Sequence, residues 1–162
     1  MYVNIETKAL LSEDYPEMTS VNVVNPAVKI LSSKEYVVLD SHALAYIATR
    51  FSRHDLGRIL SMTNMVNGKY NILYDTSSIP HSDVSLRTEL DYSINKFRDF
   101  MKKLYKEGVI SYMYTMIRGK EHKFIMLNPF LARKTKVFDV ECLKLFNDFK
   151  QISSHVNIKE LK

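Results

Sequence analysis

Between Asp91 and Gly108 the chain reads DYSINKFRDFMKKLYKEG, and its apolar residues recur at spacings of three and four. Ile94, Phe97, Met101 and Leu104 fall on one helical stripe, which Phe100 widens. Asn95, Lys96, Arg98, Asp99, Lys102 and Lys106 lie around the other side. Ser93 suits the N-cap, where its hydroxyl can accept from a first-turn amide. Gly108 offers the left-handed conformation that ends a helix. After it the period changes to two. Ile110, Tyr112, Tyr114 and Met116 alternate with Val109, Ser111, Met113 and Thr115, which predicts a strand. Arg118-Gly119-Lys120-Glu121 predicts a turn and His122–Leu127 the returning strand. Asn128-Pro129 stops it, since proline cannot donate to a ladder. The hairpin tip would carry Arg118, Lys120 and Lys123.

Other segments follow the same two periods. Asp40 or Ser41 suits the cap of a helix running to about Phe51, with Leu39, Ala43, Tyr46, Ile47 and Arg50 in phase. Ser52-Arg53-His54-Asp55 has the form of a capping box, with Asp for the usual Glu. It predicts a second helix with Leu56, Ile59, Leu60 and Thr63 on its apolar face, ended by Asn67-Gly68. Tyr70–Tyr74 is a short strand candidate. Asp75–Ser82 is polar, contains Pro80 and predicts a loop. Asp83–Leu90 has short helical character. The turn Asp91-Tyr92-Ser93 would join it to the central helix, which makes a helix-turn-helix candidate. Phe138–Ile152 predicts a last amphipathic helix using Val140, Leu143, Leu145, Phe146 and Phe149, followed by about ten fraying residues. In residues 1–35, Val21–Val24 and Val28–Leu31 could be short strands broken at Asn25-Pro26. This predicts three parts: an arm at 1–35, a domain at 36–134, and a helix with its tail at 135–162.

Charge sharpens the picture. The 162 residues carry a net charge of +5. Residues 1–92 are net −3, and residues 137–162 are neutral. Residues 93–136 hold 11 basic and 3 acidic groups, net +8. A surplus confined to one helix and the adjoining hairpin has the footprint of a nucleic-acid face. A lone charged helix would more simply be a solvated surface. Two adjacent elements with the same bias favour function. Four glycines and four prolines argue against a turn-rich β-sandwich.

Candidate chemistry follows from that face. The major groove admits one helix, read by side chains of its first turns. Ser93 opens the helix. Asn95 suits adenine, and Lys96 or Arg98 suits guanine. Asp99 suits cytosine or orients Arg98. Lys102, Lys103 and Lys106 suit phosphates. Arg118, Lys120 and Lys123 suit the minor groove or its backbone. Phe97, Phe100, Met101, Leu104, Tyr112 and Tyr114 read as core or half-buried sheet rather than as base-stacking platforms. Asn95 and Asp99 read equally well as plain surface residues.

Nothing predicts an enzyme. His42, His54, His81, His122 and His155 are scattered, with no HExxH or CxxC spacing for a metal. No glycine-rich phosphate loop or nucleophile turn is present. No cofactor is expected. Cys142 stands alone, so no internal disulfide is expected, and its place beside Leu143 suits burial. No apolar run approaches a membrane span, and MYVNIETK is no signal peptide. The reading is a cytoplasmic protein.

SINKFRDFMKKLYKEGVISY resembles the recognition helix and first wing strand of winged-helix proteins of the MarR-like type. FIMLNPFLARK resembles the segment after the wing in RepL-type plasmid replication proteins. The resemblance covers about Tyr36–Lys134. It implies a mainly α fold with a β-hairpin wing: a winged helix-turn-helix with an N-terminal arm and a C-terminal helix. It further implies sequence-specific binding to double-stranded DNA in replication initiation of a plasmid, phage or other mobile element. A transcription regulator is the alternative, and a protein-interaction module with a basic face is the third reading. Host replication or transcription proteins would be partners, and a homodimer through the termini is expected.

Overall fold

Asp40 starts the first helix by accepting the Ala43 N–H on Oδ1 at 2.9 Å. That helix, α1 (Ser41–Arg50), belongs to a computed structural model that describes residues 2–4, 9–11 and 37–147. Ser52 caps α2 (Arg53–Met65) by accepting the Asp55 N–H at 3.1 Å. Asp55 does not return the bond to the Ser52 backbone as a full box requires. Its Oδ2 takes the Ser52 hydroxyl instead, at 2.9 Å. Ser82 and Ser85 do form a reciprocal box at the start of α3 (Asp83–Glu89). The serine in the third position hid it, because a Glu or Gln is the usual signal.

The central helix, α4, spans Ile94–Lys106 with Ser93 at the N-cap. Ser93 makes no side-chain capping bond, contrary to expectation. The other end behaves as expected. Gly108 has φ 71°, its N–H reaches Tyr105 O at 3.1 Å, and Val109 N–H reaches Leu104 O at 2.9 Å. That pair of bonds is the Schellman closure, and it turns the chain straight into the hairpin.

Strands β6 (Ile110–Ile117) and β7 (Lys120–Leu127) pair over eight rungs, from Ile110 opposite Leu127 to Ile117 opposite Lys120. The turn is only Arg118-Gly119, with φ 51° and 75°. Two left-handed residues match the twist of an antiparallel ribbon. Lys120 and Glu121 therefore belong to the strand, not to the turn.

Four shorter strands complete the sheets. β4 (Val66–Asn67) and β5 (Ile72–Leu73) extend the hairpin into a four-stranded antiparallel sheet of order β4-β5-β7-β6. β3 (Val38–Leu39) pairs with β8 (Ala132–Arg133). Asn67-Gly68 does not end α2, which stops at Met65; Gly68 opens the turn between β4 and β5. Five helices and six strands in two antiparallel sheets make residues 37–147 a mixed α and β domain, not a mainly α one. Two-residue strands leave no period to read, and their pairing is set by distant parts of the chain. That is why the expectation failed.

The chain divides into two compact units, Met1–Lys34 and Glu35–Lys162. In the first, β1 (Tyr2–Asn4) pairs antiparallel with β2 (Ala9–Leu11). The strands expected at Val21–Val24 and Val28–Leu31 lie outside the described residues. So do Phe149, the helix beyond Asn147 and the fraying end.

In the second unit one core joins all five helices to the sheet. Ile47, Ile59, Met62, Leu86, Leu104, Ile110, Ile125 and Leu127 are all fully buried in it. On α2 the buried set is Ile59, Met62 and Thr63, while Leu60 is exposed. On α4 it is Phe97, Phe100, Met101 and Leu104; Ile94 is 68% exposed and does not join the stripe. Two asparagines clasp the backbone within this core. Asn128 donates from Nδ2 to Gly108 O and accepts the Phe130 N–H, both at 2.8 Å. Asn71, at φ 52°, donates to Leu127 O and Ala132 O, both at 2.8 Å.

The last helix, α5 (Val140–Asn147), sends Cys142 and Phe146 into this core and half-buries Leu143, while Val140 and Leu145 stay exposed. Burial pushes the Cys142 thiol up to about 12. The thiolate is the reactive form. Native protein is therefore expected to react with a disulfide reagent at neutral pH far more slowly than the protein in denaturant. Equal rates would place Cys142 on the surface.

Candidate nucleic-acid interface

The turn Leu90–Ser93 sets the direction of α4. Leu90 is buried, and Asp91 takes φ 53°. Tyr92 lies against Phe100 with ring centroids 4.9 Å apart, and its hydroxyl donates to Asp55 Oδ1 at 2.6 Å. Arg58 donates from Nε to Leu90 O and stacks over the Tyr92 ring at 5.5 Å. Burial, together with the Asp55 carboxylate, raises the Tyr92 phenol above its ordinary range. Burial works to raise the Asp55 carboxyl as well. The bonds from Tyr92 and Ser52, with His54 and Lys103 nearby, outweigh burial and hold it below the usual range. A charged carboxylate at the start of α2 thus pins the turn that aims α4.

Each residue advances about 100° around a helix, so the polar side of α4 divides into three rows. Arg98 and Lys102 border a groove of about 520 Å³ between α3, α4 and β6. Its lining includes the buried Phe97 and Met101, the half-buried Tyr112 and the exposed Val84 and Ile94. Lys96, Asp99 and Lys103 border a smaller pocket of about 360 Å³ with His54 and Tyr92. Asn95 and Lys106 lie on the crest between these rows. All seven side chains, and Ser93, are exposed. Arg98 reaches Asn95 Oδ1 at 3.4 Å, so Asn95 rather than Asp99 orients it. The Lys103 ammonium sits 4.7 Å from the centre of the Phe51 ring.

The hairpin changes character along its length. Its base is buried; from Met116 to Lys123 every residue is exposed. Arg118 and Lys120 stand at the tip as expected. Lys123 does not. It faces Tyr114 in the ladder, pairs with Asp83 Oδ2 at 2.7 Å and lies 4.2 Å over the Tyr112 ring. Its charge is spent on the start of α3, so Lys123 is a brace between hairpin and helix rather than a tip cation.

The structure therefore gathers Ser93, Asn95, Lys96, Arg98, Asp99, Lys102, Lys103 and Lys106 on one exposed helical surface and holds Arg118 and Lys120 at the hairpin tip. Arg87 escaped the sequence reading. It borders the same groove as Arg98 and Lys102. Arg87 and Lys102 form no ion pair among the described residues. The sequence signal for Arg87 was weak, because α3 is short and its one buried helical residue, Leu86, sets no period. Among the described residues no cluster of three His, Cys, Asp or Glu side chains could hold a metal, and no helix is long and apolar enough to cross a membrane. No family model, curated protein or solved structure matches the chain.

Proposed function

We propose that the protein binds double-stranded DNA, laying the exposed face of α4 along the duplex and touching the flanking backbone with the β6–β7 tip. The observation that carries this reading is the placement of charge. Six cations are exposed on two adjoining elements without an acidic partner among the described residues: Lys96, Arg98, Lys102, Lys106, Arg118 and Lys120. Lys103 adds a seventh, resting on Phe51. Cations of this kind neutralise phosphates, while Asn95, Arg98 and Asp99 have the chemistry to address base edges. Ser93 leaves the first-turn amides uncapped, so the positive end of the helix adds to the field. Service in replication initiation of a mobile element is the finer reading, supported by the resemblance of Phe124–Lys134 alone. The most distinctive residue of that run, Asn128, is fully buried and acts on the backbone. It supports the fold rather than the contact with DNA.

Lys120 and Lys123 separate anchor from brace. Lys120→Ala is expected to weaken binding to all duplexes alike, because phosphate contacts carry no sequence information directly. Lys123→Ala is expected to leave affinity within about twofold and to cost the fold no more than about 1 kcal/mol, the usual worth of an exposed ion pair. Fluorescence anisotropy with two unrelated duplexes, together with urea unfolding, checks both. A larger loss of affinity from Lys123→Ala than from Lys120→Ala would contradict the assignment.

A further inference from the structure

Two large apolar side chains stand exposed near the end of the β6–β7 hairpin, among charged neighbours. Met116 is 65% exposed and Ile117 is 43% exposed, on the last two rungs before the turn. The two-residue turn keeps this end narrow, and the unbroken ladder behind it makes it stiff. Neighbouring charge says what such an end would meet. Ile117 shares its rung with Lys120 and is followed directly by Arg118. Met116 shares its rung with Glu121, whose carboxylate disfavours a close approach to phosphate on that face. The Ile117 face is therefore the leading one, with Met116 behind it.

We propose that this tip is a wedge, with Ile117 pressing into a base step from the minor groove and kinking the duplex, while Met116 lies on the opposite face of the ribbon against the groove wall. The inference rests on the DNA-binding reading and adds to it a deformation of the DNA. A minor groove is too narrow for a ribbon but admits side chains, and apolar side chains inserted between base pairs unstack them. Arg118 and Lys120 hold the phosphates on either side. Withdrawing Ile117 from water into the step, and Met116 onto the groove wall, offsets part of the cost of unstacking.

A wedge prefers DNA that is already easy to kink. The test compares the full chain on an intact duplex of about 30 base pairs and on the same duplex with a central two-base bulge. The wild type is expected to bind the bulged duplex about tenfold more tightly, because the bulge has already met the unstacking cost. Ile117→Ser with Met116→Ser is expected to bind both duplexes alike, with affinity for the intact one within about threefold of wild type. Arg118→Ala with Lys120→Ala is expected to weaken both while keeping the preference. Circular dichroism of each variant shows whether the fold is intact; should the serine pair unfold the hairpin, Ile117→Thr alone is to reduce the preference. Equal wild-type affinity for the two duplexes overturns the wedge and leaves DNA binding standing. A preference that survives in the folded serine variant also overturns it. Binding to neither duplex removes the DNA-binding reading, and the wedge with it.

Discussion

Leu104→Ala is expected to lower the stability of the fold by about 2–5 kcal/mol. Leu104 is fully buried at the C-terminal end of the α4 stripe, after Phe97, Phe100 and Met101. Its carbonyl also takes the Val109 N–H that closes the helix and launches β6. The side chain thus lies under the point where helix turns into hairpin, a place with little freedom to collapse onto a cavity. Urea unfolding followed by circular dichroism measures the loss. A change under about 1 kcal/mol would mean that the stripe is not buried, and the exposed face of α4 would then be assigned wrongly.

Asn128→Ala is expected to have an effect of similar size by another mechanism. The side chain is fully buried and serves two backbone groups at once, Gly108 O and Phe130 N–H. Removing it strands both, and each stranded buried group costs about 1–3 kcal/mol. Gly108 is the residue that ends α4, and Phe130 follows the Pro129 stop, so the clasp ties both ends of the hairpin base together. Weakened hydrogen-exchange protection at Phe130, with loss of overall stability, is the expected result. A variant as stable as wild type would show that water replaces the amide, and the clasp would not hold the hairpin base.

The elements legible in the sequence are those with a period long enough to read. α1 and α2, at 10 and 13 residues, were found from caps and stripes. α4 and the eight-residue strands β6 and β7 were plain for the same reason. The two-residue strands β3, β4, β5 and β8 were not. Nothing local marks Val66-Asn67 as a strand; it becomes one because Leu73 lies opposite Val66. These strands turn an isolated hairpin into a sheet, and so the fold class was misread.

The basic face was legible because charge asymmetry survives any error in element boundaries. Partnership was not. Lys123 looks like its neighbours in the sequence, and only the approach of Asp83, 40 residues away, removes it from the anchors. Arg98 turns to Asn95 and not to Asp99, a choice between two rotamers that spacing leaves open. Ile94 keeps the helical period yet is exposed, because it sits at the end of α4, beyond the core. The apolar face expected on the last helix proves to be divided. Cys142 and Phe146 belong to the domain's own core, which leaves Val140 and Leu145 on the outside.

The central claim is that the exposed cations of α4 and of the hairpin tip meet DNA phosphates, and salt is the direct probe of it. Each phosphate neutralised on a duplex contributes about −0.9 to the slope of log affinity against log salt. Contact by about five of Lys96, Arg98, Lys102, Lys103, Lys106, Arg118 and Lys120 predicts a slope near −4.5. Lys102→Ala, Lys106→Ala and Lys120→Ala combined are expected to make it shallower by about 2 to 3 while the fold stays intact. Absence of binding at low salt, a flat dependence between low and moderate salt, or a slope unchanged in the triple variant would contradict the account.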